Sequence, residues 1–292
     1  MRAFLIYTVD GVTNGMVYAA VALALVMIWR ATRIINYAQG AMAMFTTYIA
    51  FFVIEHGTPF WLGFVIALAA GLSLGAVAER VLIRPVESRP ALSAVILTLG
   101  LLIFLEALAP MLFGAQVQSF PAPFSRIDLT AGGTQLYFSR FDIFTVGSVL
   151  CVMVLLFVLF QRTTIGLRMR AAAFNPEIAR ILGIRVGRML TLGWALAALL
   201  GALAGLLAAP VLFLYPTNMD EVLVFGFTGA IIGGLESPVG AVVGALGVGL
   251  ALSYVSGFLG SDLAPLGSLL ILMAVLMIRP RGLFGMTRQR QV

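Results

Sequence analysis

The stretch QRTTIGLRMRAAAFNPEIARILGIRVGR, Gln161 to Arg188, decides how the rest of the chain is read. It holds six arginines (Arg162, Arg168, Arg170, Arg180, Arg185 and Arg188) inside an otherwise apolar sequence. An arginine in the hydrocarbon core costs on the order of 2.5 kcal/mol or more, so this segment belongs in water, between membrane segments. Its centre carries helix signals at both ends. Asn175 reads as the N-cap, Pro176 as the first helical residue, Glu177 as an acid in the positive first turn, and Gly183 as the C-terminal stop. These signals predict a short helix from Pro176 to Leu182. Ile178, Ile181 and Leu182 fall at helical spacing on one side, an apolar face turned toward a partner protein rather than the chain's own bilayer.

Outside that insert, the 292 residues are 61% hydrophobic and only 10% charged, with a mean hydropathy of +1.07. Such a composition excludes an ordinary soluble domain and predicts an all-α, polytopic transmembrane helical bundle. The one cysteine, Cys151, lies in an apolar run and reads as a packed residue, so neither an internal disulfide nor a paired-thiol metal site is expected. The single histidine, His56, reads as a surface loop residue beside Pro59. The net charge of +6 comes from arginine alone, because the chain has no lysine. Those arginines are scattered between spans rather than gathered on one aqueous face, which argues against nucleic acid as a partner.

Apolar segments run approximately from Phe4 to Trp29, Ile34 to Ile54, Phe60 to Ala78, Ala91 to Phe113, Asp142 to Phe160, Met189 to Leu214, Val222 to Leu235, Val239 to Phe258 and Pro265 to Ile278. Val222 to Leu235 is short for a span and reads as a half-helix or re-entrant element, so eight to nine membrane segments are expected. With alternate loops on opposite sides, fifteen arginines fall on one side and three (Arg2, Arg126, Arg140) on the other. Arginine accumulates on the cytoplasmic side of short loops. The expected orientation therefore has the N-terminus outside and the C-terminus inside, with the first apolar run a retained span rather than a cleaved signal. Asp10, Glu55, Asp128, Asp142, Asp220, Glu221 and Asp262 are expected outside. The loop from Gly114 to Phe141, with Gly132-Gly133, reads as a small hairpin or short helix. Glycine pairs at Gly11/Gly15, Gly71/Gly75, Gly201/Gly205, Gly229/Gly233 and Gly240/Gly244 have small-xxx-small spacing, which permits close helix approach.

Enzymatic chemistry finds little footing. Gly71-Leu72-Ser73-Leu74-Gly75 fits the nucleophile-elbow pattern, but that motif needs a strand-to-helix turn and a nearby base. A Walker A loop requires a lysine, so if ATP drives this protein another chain binds it. Glu106 is the one acid well inside a span, where an ionisable group is either functional or hydrated near the outer end. Asn14, Asn36, Gln39, Thr98 and Asn218 suit a path for a small polar solute or serve as interhelical glue. The Arg-Pro pairs at 84–85, 89–90 and 279–280 read as helix ends, with arginine among headgroups. Asn36 to Ala41 and Ser237 to Ala241 form a weak internal echo, each opening an apolar run.

Several stretches, in order along nearly the whole chain, resemble the LivH/LivM-type permeases of branched-chain amino-acid ABC importers, closer to the LivH side. They are Ile35-Asn36-Tyr37-Ala38-Gln39-Gly40 with Met44, Glu79-Arg80, Arg84-Pro85-Val86, Thr98-Leu99-Gly100 and Gly166-Leu167-Arg168-Met169-Arg170-Ala171 with Ala179 and Gly183-Ile184. Gly233-Gly234 to Gly240-Ala241 and Arg279-Pro280-Arg281-Gly282-Leu283-Phe284-Gly285 complete the set. The resemblance implies a single permease domain over residues 1–292, in the bacterial inner membrane. It also implies four kinds of company: a second, LivM-like permease subunit, two ATP-binding subunits, a periplasmic solute-binding protein and the surrounding lipid. Residues 161–188 become the cytoplasmic coupling loop, and Asn175, Pro176, Glu177, Ile178, Ala179, Arg180, Leu182 and Gly183 the coupling helix. The candidate path is Asn14, Asn36, Gln39, Thr98 and Glu106; no catalytic residue, metal or cofactor is implied. Glu236 and Glu106 depart from the family pattern, which leaves urea, short amides or aromatic acids as alternative solutes. A secondary carrier or channel is the competing class.

Overall fold

The structure is a computed structural model that describes residues 2–86, 89–125, 127–131, 134–279 and 282–283. Among these, seven helices are long and apolar enough to cross a membrane: α1 (Arg2–Thr32), α3 (Phe60–Val77, continued to Val86), α4 (Ala91–Phe113), α5 (Arg140–Arg162), α8 (Val186–Leu212), α10 (Pro238–Phe258) and α11 (Ala264–Ile278). Two shorter apolar helices, α2 (Gln39–Glu55) and α9 (Asp220–Gly233), complete the bundle, while α6 (Thr164–Phe174) and α7 (Pro176–Ile181) fill the polar insert. Among the described residues, the nine apolar segments thus fold into seven membrane-length helices and two shorter ones.

Helix α1 is the central post. From Ala19 to Ile28 every residue is buried, as expected for a helix that is apolar all round. Small residues let its neighbours close in. A Cβ at Gly11 would stand 2.8 Å from the Leu250 Cα of α10, and one at Gly71 of α3 would stand 2.8 Å from the Ala202 Cβ of α8. Gly201 and Gly205 admit Gln39, Ala43 and Thr47 of α2, and Gly229 and Gly233 meet Gly240, Gly244 and Ala245 where α9 crosses α10. With lipid tails as apolar as leucine, such close van der Waals packing holds helices together in a bilayer. The outward faces of α3, α4, α5 and α11 carry exposed Val65, Ile103, Leu155 and Leu270, as lipid contact demands. Cys151 is exposed on α5 rather than packed in the core, a correction to the sequence reading.

In the long loop, where a small hairpin or a short helix is expected, β1 (Asp128–Ala131) pairs antiparallel with β2 (Thr134–Ser139). Ser139 then starts α5 with a capping box to Asp142, its hydroxyl accepting from the Asp142 amide. Arg126, Gly132, Gly133, Pro280, Arg281, Phe284, Gly285, Arg288 and Arg290 lie outside the described residues.

One helix end departs from expectation in a way that shapes the site. The sequence suggested an apolar run from Ile34, but α2 starts at Gln39 and residues 33–38 are not helical. The Asn36 side chain explains it: its Oδ1 accepts from the Ala38 amide at 3.1 Å, a local turn that competes with helix. Past α3, residues 78–83 are wound as a π-helix and 84–86 as a 3-10 turn. This brings Arg84 back onto Glu79. Arg84 is therefore not a headgroup anchor: Nε donates to Glu79 Oε1 at 3.1 Å and Nη2 to the Gly187 carbonyl at 2.8 Å.

Candidate translocation junction and coupling element

Two helix N-termini meet inside the bundle. The Gln39 amide donates to the Ala197 carbonyl at 2.9 Å, halfway along the 27-residue α8, so α2 begins near mid-depth. A Cβ at Gly40 would stand 3.1 Å from the Met219 carbonyl and 3.3 Å from the Leu223 Cβ, which sets the first turn of α9 beside the first turn of α2. From there the two run in opposite senses. Helix α2 ends at Glu55 beside the start of α3, whereas α9 ends near Glu236, which pairs with Arg33 at 2.6 Å at the arginine-rich end. At about 1.5 Å per residue, these helices of 17 and 14 residues each cover about half to two-thirds of the 27-residue α8. Neither N-terminus has a side-chain cap. Non-helical backbone at membrane depth is tolerated where protein buries it or where it lines a cavity.

The candidate path residues divide here. Asn36 and Gln39 are fully buried and bonded to each other at 3.1 Å, so their amides hold the unwound segment together. Thr98 is also buried and donates to its own helix at Val95. Asn14 is half-buried on α1, one turn from Tyr18, whose ring meets Phe225 of α9 at 5.3 Å. Glu106 of α4 lies within electrostatic reach of Asp220 in the first turn of α9, and its Oε1 is buried without a hydrogen-bond partner. The sequence assigns Asp220 and Glu221 to the outer side; the structure sets Asp220 in the first turn of α9, at this junction. Asn218, 3% exposed, donates to the Phe213 carbonyl and leaves its Oδ1 unpartnered. Nothing in the sequence links Glu106 to Asp220, which lie more than a hundred residues apart.

The second element is α7. Asn175 Oδ1 accepts from the amides of Glu177 at 3.1 Å and Ile178 at 3.0 Å, the expected cap, and Pro176 opens the helix. Gly183 takes φ of +80° just beyond Leu182, a left-handed conformation that glycine adopts without steric cost. Ile178, Ile181 and Leu182 are all exposed, as is Phe174, while Glu177 and Arg180 are exposed on the same short turn. Ala179 faces the other way. It is buried against Ala172, Val186 and Leu190, so it seats α7 on α6 and α8 rather than on anything outside. Met169 and Gly166 bury the matching side of α6, whose Thr163 cap accepts from the Gly166 amide at 3.1 Å.

Residues 7–279 match the family described as branched-chain amino acid transport system / permease component. The LivH permease protein of the high-affinity branched-chain amino acid transport system of Escherichia coli is 29% identical, over 97% of this chain and 96% of its own. BraD, the corresponding permease protein of Pseudomonas aeruginosa, is 25% identical over 95% and 94%. A probable branched-chain amino acid transport permease protein LivH of Methanocaldococcus jannaschii is 25% identical over 90% and 87%. A capped helix with an exposed apolar face, a bundle of membrane-length helices and a match that runs almost end to end lead to one assignment: this chain belongs to the branched-chain amino acid transport permease family and is a multi-pass membrane transport component, not an enzyme.

Proposed function

We propose that this chain is one permease subunit of an ATP-driven importer that carries branched-chain amino acids across the inner membrane by alternating access. Its N-terminus lies outside and its arginine-rich end faces the cytoplasm. A second permease subunit, two ATP-binding subunits and a solute-binding protein complete the machine. The observation that carries this reading is α7: a short, capped helix that shows Ile178, Ile181 and Leu182 to water at the arginine-rich end, as a helix-in-groove contact requires. Closure of the ATPase pair pushes on α7. Ala179 and its neighbours on α6 and α8 pass that displacement to the bundle, because packed interfaces move as units.

The junction of α2 and α9 is where the solute passes. Uncapped helix N-termini favour a carboxylate, and the Glu106 and Asp220 carboxyls favour an ammonium group, so together they suit an α-amino acid. The assembled complex in proteoliposomes tests the reading directly. Leucine on its binding protein should raise ATP hydrolysis and accumulate inside, whereas urea and phenylalanine run in parallel should not; stimulation by either of those in place of leucine would reassign the solute.

A further inference from the structure

A cleft of about 880 Å³ opens between α1, α5, α6, α8 and α10 at the arginine-rich end, away from the α2/α9 junction. Its floor is apolar: Val26 on α1, Leu156 and Phe160 on α5, and Val242 on α10. It reaches Leu23, two helical turns deeper than Arg30, or about 10 Å at 1.5 Å per residue. Phe157 and Val239 stand exposed at its edge, so the cleft opens sideways on the outer surface of the bundle. Its mouth holds Arg30, Arg33 and Arg170 against one acid, Glu236.

Those charges are unevenly satisfied. Arg33 pairs with Glu236 at 2.6 Å and also lies 5.8 Å from the Trp29 ring. Arg170 uses Nη1 on Gln161 at 3.1 Å, but its Nε is buried with no hydrogen-bond partner. Arg30 lies within electrostatic reach of Arg170 and Arg33, a like-charge cluster that Glu236 offsets only in part. A buried guanidinium N–H without an acceptor is costly, and an anionic oxygen is the acceptor that guanidinium geometry fits best.

We propose that this cleft binds one anionic phospholipid from the leaflet at the arginine-rich end, with an acyl chain along Val26, Leu156, Phe160 and Val242 and the phosphate on Arg30 and Arg170. The combination selects the occupant. A soluble anion gains nothing from two turns of apolar wall, and a zwitterionic lipid brings a cation to a mouth that already has an excess of positive charge. A soluble ATPase does not reach an apolar slot at acyl-chain depth. Basic pockets between transmembrane helices are suited to anionic headgroups for the same electrostatic reason.

The test uses the intact complex, purified and then exchanged into vesicles of either phosphatidylglycerol or phosphatidylcholine. Retained lipid per chain is counted by native mass spectrometry after stringent washing. One phosphatidylglycerol per chain is expected, with phosphatidylcholine retained far less. The Arg30→Gln/Arg170→Gln variant should lose roughly tenfold or more of that retention, and Arg30→Lys/Arg170→Lys should keep most of it. Equal retention of the two lipids by the unaltered complex would overturn the proposal without any variant having to fold. Displacement by soluble glycerol phosphate would reassign the site to a free anion. A photo-crosslinker at Phe157 that captured a subunit peptide instead of lipid would hand the cleft to a protein partner and overturn it equally.

Discussion

The Glu79 carboxylate and the Arg84 guanidinium form an ion pair at 2.9 Å in which the acid is only 2% exposed. Thr191 of α8 donates its hydroxyl to the same carboxylate at 2.7 Å, and the Gly187 carbonyl accepts from Arg84. The pair therefore ties the π-wound end of α3 to the first turns of α8, directly after the α6/α7 insert. Removing the Arg84 side chain leaves the buried Glu79 carboxylate without its counter-charge and costs about 3 kcal/mol or more. Arg84→Met should sharply lower the melting temperature of the purified complex, and Glu79→Gln/Arg84→Met should recover part of the loss. An Arg84→Met melt equal to that of the unaltered chain would mean the pair contributes no stability.

Glycine substitutions separate close helix crossings from open surface. Gly205 faces the Ala43 carbonyl at 2.7 Å from a would-be Cβ, and Gly244 faces the Gly229 carbonyl and the Gly233 amide. Gly100 and Gly147 face open space. Gly205→Ala and Gly244→Ala should destabilise by about 1–3 kcal/mol, whereas Gly100→Ala and Gly147→Ala should be neutral or add up to about 1 kcal/mol through helix propensity. Thermal melts of the four variants side by side check the contrast.

Asn175 caps α7 through two backbone amides. Asn175→Ala should weaken the helix by about 1 kcal/mol, and Asn175→Asp should hold it. Leucine uptake and leucine-stimulated ATP hydrolysis should fall together in the alanine variant, with membrane insertion unchanged. Preserved uptake in Asn175→Ala would show that the helix form of residues 176–181 is not needed for coupling.

Glu106 and Asp220 should matter to transport more than to folding. Hydrogen bonds to charged groups contribute about 1.5–3 kcal/mol, so Glu106→Gln should raise the leucine KM roughly tenfold or more while the complex assembles normally. Asn36→Ala and Gln39→Ala should do the reverse, lowering stability through loss of the bonds that close the unwound segment. A transport assay paired with a melting curve on each variant distinguishes the two outcomes.

The parts of this molecule that were legible in the sequence are those set by local chemistry. The Asn175 cap, Pro176 at the helix start and the left-handed Gly183 each follow from one residue's own conformational preference, and the Gly11/Gly15 and Gly201/Gly205 spacings already announce close crossings. The junction was not legible in the same way. Gln39 meets Ala197, Gly40 meets Met219, and Glu106 meets Asp220 only once the chain has folded back on itself, and periodicity carries no information about such pairs. Ala179 illustrates the boundary between the two. Its place on α7 was clear from spacing, but that it turns inward against Leu190 depends on where α8 lies. Arg84 likewise looks like a surface anchor in the sequence, because the π-winding that returns it to Glu79 leaves no mark in composition.

The most direct measurement is disulfide or thiol crosslinking from Ile181→Cys, in a Cys151→Ser background, within the assembled complex in native membranes. Ile181 is 84% exposed on the apolar face of α7. Crosslinking to an ATP-binding subunit, with protection from membrane-impermeant thiol reagents added outside, is the predicted result. Labelling of Ile181→Cys from the outside, or leucine transport that proceeds with no crosslink to any ATP-binding subunit, would contradict the account.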